Sequence, residues 1–373
     1  MKVKPYLKHL AEKNGSDIYF STGAVPSAKF DGALKQLGKE TLPPGYVEEL
    51  ANELMTDKQR EDFSKKPEMN LALSLPNIGR FRVNVFKQRG EVAMVIRYIN
   101  VIIPSVETLG VPQILKKVVM AQRGLILFIG GTGMGKSTSL ASLIDHRNAN
   151  SSGHIITIED PIEFIHKHNK CIVNQREIGM DTDSWGDAMS NAMRQGPDVI
   201  LLGEIRDHET MEHALAFAES GHLTLATLHA NNANSALDRI INFFPGDKHK
   251  TLLQDLSLNM RAFVSQRLIT TVDKKRCAAF EVLLNSPRVA ELIKQGDINE
   301  IKESMKKSEV AGMQTFDMDL HRLYKNGVIS RNEALRNADS ENDLSLRMDL
   351  KEDDKPQNAG NVMDDLEGLV FTG

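Results

Sequence analysis

Hydrophobic positions along the chain fall into five regimes. Over the first hundred residues, short polar helical stretches alternate with strand-like runs such as Arg80–Phe86 and Val92–Tyr98, punctuated by Gly79 and Gly90. In Arg80–Phe86, Phe81, Val83 and Val85 recur with period two opposite Arg80, Arg82 and Asn84. That alternation predicts a strand with one face in a core and a basic face left available. Between Asn100 and Pro112, Pro104, Gly110 and Pro112 interrupt regular structure and predict a connector over 101–112. From Gln113 onward, apolar runs at Leu125–Ile129, His154–Ile158, Val199–Leu202 and Leu223–Thr227 alternate with helical segments, which predicts a largely parallel α/β sheet over 113–287. Beyond about Pro287 the chain is helical and charged, through Glu291–Lys307 and Phe316–Asn326, so 288–338 is expected to form a helical end. From Asp339 to Gly373 it turns acidic and poor in aromatics, most charged at Glu352–Asp354, and is expected to lack a fold.

Length and composition narrow the class. A chain of 373 residues has room for two or three domains, each with a core of its own, which argues against a lone small binding module. Hydrophobic residues at 41% and charged residues at 26% lie near globular averages and exclude wholesale disorder. A net charge of -4 gives no overall pull toward nucleic acid, and no nucleic-acid partner is expected. Cys171 and Cys277 stand far apart and outside any C-x-x-C pair, as expected for free thiols in a reducing compartment without structural zinc. Lys2, Lys4, Lys8, Glu12 and Lys13 interrupt the apolar residues of Met1–Asp17, so a signal peptide is not expected and the cytoplasm is. No apolar run approaches the roughly 20 residues of a membrane-spanning helix. Membrane association would therefore come through partners or the surface.

The chemistry begins at Gly130-Gly131-Thr132-Gly133-Met134-Gly135-Lys136-Ser137, which fits G-x-x-x-x-G-K-[ST] and comes directly after the apolar run Leu125–Ile129. Glycines let backbone N–H groups approach phosphate oxygens, and the next helix turns its positive end toward the same anion. The cradle is expected to run from Gly130 through Ser137 to Thr138, with Lys136 reaching the β- and γ-phosphates of ATP and Ser137 binding Mg²⁺. Hydrolysis also requires carboxylates. Val199–Glu204 is an apolar strand ending in an acid, which assigns Glu204 to metal and water positioning. The run Ile158-Glu159-Asp160-Pro161-Ile162-Glu163 ends another strand, and Glu163 is the candidate general base. His222 and His229 bracket the strand Leu223–Leu228 and are candidate γ-phosphate sensors. Among Arg80, Arg82, Arg97, Arg194, Arg206 and Arg239, Arg82 and Arg97 are chosen as contacts to a neighbouring subunit's phosphates. His208 and His213 lie five apart, not four, which rejects a zinc-protease motif.

Taken in order, the phosphate loop, Ile156–Glu163, Gly203–Asp207 and Gly221–His229 resemble the Walker A, Asp box, Walker B and His box of secretion ATPases. The likeness extends from Gly15–Asp17 and Gly23–Pro26 through Gly312–Asp317, and within that superfamily the chain looks like the PilT/PilU branch of type IV pilus retraction ATPases. The resemblance implies a PAS-like α+β amino-terminal domain over 1–100 and a RecA-like P-loop ATPase domain with a helical carboxyl-terminal end. It also implies a hexamer whose nucleotide sites lie between adjacent subunits, at the cytoplasmic face of the inner membrane. Its implied partners are a PilT-like retraction ATPase and an inner-membrane pilus platform protein. One segment departs: where PilT-type chains read Ala-Ile-Arg-Asn-Leu-Ile-Arg-Glu, this one reads Arg288–Gln295 as Arg-Val-Ala-Glu-Leu-Ile-Lys-Gln. With the acidic extension, that leans toward the accessory PilU type. The expected function is an ATP-hydrolysing motor subunit that drives or assists pilus retraction and twitching motility. The alternative is an ATP-binding regulator of a PilT-like motor with little turnover of its own.

Overall fold

The computed structural model describes residues 1–349, apart from 31, 100, 101, 309 and 311. Glu352–Asp354 and the rest of the stretch to 373 lie outside the described residues. The first lobe comprises α1 (Lys4–Glu12), β1 (Asp17–Ser21), β2 (Ser27–Phe30), β3 (Ala33–Gln36), α2 (Tyr46–Asn52), α3 (Asp57–Lys65), β4 (Glu68–Leu75), β5 (Gly79–Gln88) and β6 (Glu91–Ile99). Pro5 stands in the first turn of α1, where no N–H is needed, and Leu7 and Leu10, one turn apart, bury the same face. A reciprocal cap between Thr56 and Gln59 starts α3. The six strands run β3-β2-β1-β6-β5-β4, antiparallel throughout. Phe81, Val83 and Val85 are fully buried, as their period-two spacing predicts. This lobe is the α+β unit expected of a PAS-like domain.

The connector is only partly slack. Val106 and Val111 are buried in the core of the second lobe beside Leu115, so the last part of 101–112 packs with that lobe. The second lobe then runs α4 (Ile114–Val118), β7 (Gly124–Ile129), α5 (Lys136–Asn150), β8 (Gly153–Glu159), β9 (Cys171–Glu177), α6 (Trp185–Ala192), β10 (Val199–Ile205), α7 (His208–Glu219), β11 (Leu223–Leu228), α8 (Ala233–Phe243), α9 (His249–Asn259), β12 (Met260–Thr270) and β13 (Arg276–Leu284). Its seven strands are ordered β13-β12-β7-β11-β10-β8-β9, parallel except for β13 against β12. Helices cover both faces, and β7 and β11 are buried along their whole length. Parallel strands bring the carboxyl ends of β7, β8, β10 and β11 to one edge, where RecA-like folds place ligands.

Five helices close the described chain: α10 (Pro287–Gln295), α11 (Ile298–Lys306), α12 (Phe316–Lys325), α13 (Arg331–Arg336) and α14 (Glu341–Asp349). The stretch Glu291–Lys307 is two helices rather than one, because Gly296 takes φ +79° and ends α10. The expectation that 339–373 lacks a fold is corrected for 339–349. The Asp339 side chain is 7% exposed and accepts hydrogen bonds from Arg267 Nη2 at 2.6 Å and Lys302 Nζ at 2.6 Å. Leu344 of α14 enters the small core formed around Phe316 and Leu320. Acidic composition argues for disorder only where nothing neutralises it, and here cations from β12 and α11 do. Among the described residues, no helix is long and apolar enough to cross a membrane.

Candidate active site

The phosphate loop leaves β7 at Ile129 and enters α5 at Lys136. Gly133 and Gly135 take φ +75° and +81°, conformations that a Cβ disfavours, and a Cβ on Gly135 would also lie 2.9 Å from Gln266 Nε2. The turn therefore delivers the chain directly into a 15-residue helix whose free N–H groups face back over the loop. Lys136 Nζ donates to the carbonyls of Gly130 at 2.8 Å and Gly131 at 2.9 Å. Burial holds the Lys136 ammonium below its ordinary range, against the opposing pull of Glu204 and Glu163.

Beside the loop lies a cleft of about 230 Å³ whose walls include Lys136, Ser137, Glu159, Glu163, Glu204 and His229. Glu204, near the end of β10, accepts Arg206 Nε at 2.9 Å, and His229 Nε2 lies 3.2 Å from its other oxygen. Burial, reinforced by Lys136, lowers the His229 pKa from its ordinary value despite Glu204. The shift favours the neutral ring beside Glu204.

The acids after β8 divide by environment. Glu159 is half-buried; desolvation raises its pKa although Thr157 Oγ1 donates to it at 2.6 Å and Gln175 Nε2 at 3.2 Å. Glu163 is exposed and faces the cleft from the loop 160–166. Two side chains of β9 pin that loop on either side of it. Glu177 Oε2 accepts the Ile162 N–H at 3.3 Å, while Gln175 Nε2 donates to the Phe164 carbonyl at 2.8 Å and Gln175 Oε1 accepts the His166 N–H at 2.9 Å.

Not all the residues chosen from sequence meet here. Lys136, Ser137, Thr132, Gly133, Glu163, Glu204 and His229 line one cleft. Gly131 borders a neighbouring hollow shared with His229, and Met134 Sδ accepts the Leu268 N–H at 3.5 Å. His222 requires a correction as a sensor of its own chain's site. It precedes β11, at the level where Leu223 pairs with Gly124 at the start of β7, and its Nδ1 lies 3.2 Å from the Phe217 carbonyl. Six strand residues at about 3.3 Å each separate it from the phosphate edge. Arg82 and Arg97 are cross-strand neighbours on β5 and β6. Arg97 Nε donates to the buried Asp17 at 2.8 Å, and Arg82 Nε lies 3.7 Å from Glu177 Oε1 in the second lobe. Sequence reasoning missed Gln175 and Glu177. A polar residue on a half-exposed edge strand carries no local signal, and only the return of 160–166 along β9 gives either side chain its contact.

Comparison with known proteins supplies independent observations. The family described as Type II/IV secretion system protein matches residues 2–348. The type IV pilus ATPase PilU of Pseudomonas aeruginosa is 52% identical over 94% of this chain and 92% of its own length. The type IV pilus retraction ATPase PilT of the same organism is 38% identical over 91% of this chain and 98% of its own. A crystal structure of the pilus retraction motor PilT with bound ADP superposes with a TM-score of 0.85 at 38% identity, covering 91% of this chain and 98% of that one. The Legionella pneumophila ATPase DotB superposes with a TM-score of 0.76 at 28% identity, over 88% and 92%.

Proposed function

The chain belongs to the type II/IV secretion system protein family, as an ATPase of the PilT/PilU pilus-retraction branch, and from that premise we propose that it turns over Mg-ATP as a hexamer to drive or assist pilus retraction. The observation that carries this reading is the convergence of Lys136, Ser137, Glu163 and Glu204 on one cleft beside a helix N-terminus. In it, Lys136 gives up the Gly130 and Gly131 carbonyls and takes the β- and γ-phosphates, while the loop N–H groups cradle the rest. Ser137 and Glu204 offer hard oxygen donors suited to Mg²⁺, with Glu204 acting through water. The metal's contribution is to neutralise phosphate charge. Glu163 accepts the proton of the attacking water. His229, 3.2 Å from Glu204, senses the γ-phosphate, and Arg82 and Arg97 of an adjacent subunit meet the charge that develops on it. Closing and reopening of the first lobe over the nucleotide then becomes movement at the ring's centre.

On this reading the protein works at the cytoplasmic face of the inner membrane against a pilus platform protein and beside a PilT-like motor. Phosphate release by the purified chain, followed with and without a PilT-like ATPase and again after chelation of Mg²⁺, tests it. Turnover that is Mg-dependent and present without the partner is expected. Nucleotide binding without turnover until the partner is added would replace the motor by a regulator, a reading favoured by the Arg288–Gln295 departure and opposed by Glu163 and Glu204 together in the cleft.

A further inference from the structure

Glu177 is 1% exposed, and its two oxygens face different parts of the molecule. Oε2 accepts the N–H of Ile162, the residue before Glu163. Oε1 has no hydrogen-bond partner among the described residues, and Arg82 of the first lobe lies beside it with Nε at 3.7 Å, within ion-pair reach but beyond a hydrogen bond. A carboxylate cannot be buried cheaply with half its acceptors unused. The position of Arg82 is therefore felt at Glu177, and through it at the backbone that carries Glu163. The other buckle of the loop, Gln175, makes its side-chain hydrogen bonds within the second lobe, to Phe164, His166 and Glu159.

We propose that Glu177 is a positioning residue that couples the placement of the first lobe, through Arg82, to the alignment of Glu163. When Arg82 closes on Glu177, the carboxylate is neutralised and holds Ile162 firmly. When Arg82 leaves for another anion, Glu177 is left as an unpaired buried charge, and its grip on the loop changes. The acid that activates water is thus tuned to the state of the lobe above it. The proposal rests on Glu163 being the general base.

Its test is a double-mutant cycle on the purified full-length chain, with kcat, KM and ADP affinity measured for Glu177→Gln, Arg82→Gln and the pair. Glu177→Gln keeps an acceptor for Ile162 and removes the charge. It is expected to lower kcat about tenfold with ADP affinity within about twofold, because a hydrogen-bonded charged group is at stake. In the Arg82→Gln background the same substitution should change kcat by less than about twofold, a coupling that simple loss of packing would not produce. Gln175→Ala, which loosens the loop without touching the link between lobes, should lower kcat by the same factor in both backgrounds. Equal effects of Glu177→Gln with and without Arg82 would overturn the coupling while leaving the assignment of Glu163 intact. Unchanged turnover in Glu163→Gln would instead remove the reading on which it rests. Melting curves of every variant separate a folding defect from loss of alignment, and Glu177→Asp, which restores the charge, should recover part of kcat.

Discussion

At the scale of single residues, the site separates groups of the same chemical type by environment. Glu159 and Glu163 are four residues apart, yet the first is half-buried, with its pKa raised by desolvation, and the second is exposed to solvent and the cleft. Of the two, Glu163 is the one exposed to the water it would activate. Glu163→Gln is therefore expected to lower kcat about 100-fold or more while ADP binding persists, since general-base assistance is of that size. Lys136→Ala should abolish turnover by loss of phosphate contact and raise the ADP dissociation constant as well. Parallel assays of phosphate release and ADP titration distinguish the two patterns. Retained turnover in either variant would contradict the role assigned to that residue.

At the scale of elements, two buried carboxylates decide how pieces of the second lobe are joined. Glu281 of β13 accepts the Ala233 N–H at the start of α8 at 2.7 Å and the Ser265 hydroxyl of β12 at 2.9 Å. Burial raises its pKa above the ordinary 4.5. Between those values the folded chain keeps a proton that the unfolded chain has released, so stability falls as pH rises through that window. A plot of melting temperature against pH from about 4.5 upward should be flatter for Glu281→Gln than for the native chain. Asp339 behaves in the opposite sense. Burial pushes its pKa up, but Lys302 and Arg267 outweigh that and leave it lowered. Its stabilisation is present above the ordinary carboxylate range and is lost as pH falls through the depressed value. Asp339→Asn should cost about 2 kcal/mol in urea unfolding, as expected for weakened hydrogen bonds between charged groups whose cations stay partly in water. Limited proteolysis should then cut before α14, and an unchanged digestion pattern would show that α14 does not depend on this anchor.

At the scale of the whole molecule, two lobes of different class are joined in one chain. The first is an antiparallel sheet carrying Arg82 and Arg97 on neighbouring strands; the second is a mostly parallel sheet whose strand ends carry the acids. Arg82 against Glu177 is a charged link between them. A hexamer would set each first lobe against a neighbouring subunit's cleft, so turnover per chain should rise with protein concentration until assembly is complete. Mass measurement and phosphate release over the same dilution series test this. A specific activity independent of dilution through the monomer range would show that the site is complete within one chain.

The sequence by itself determined the α/β class, the phosphate loop and the acids after β8 and β10, because each is a local pattern. A glycine-rich turn needs only its flanking strand and helix, and an apolar run buried on both faces shows its strand directly. The mixed edge strand β9, alternating buried Cys171 and Val173 with polar neighbours, was not legible, and neither was the pairing of β12 with β13. Only the tertiary structure docked α14 through Asp339 and set Gln175 and Glu177 around Glu163. Those outcomes depend on contacts between segments distant in sequence. A local spacing cannot report which buried oxygen will find its partner across a lobe.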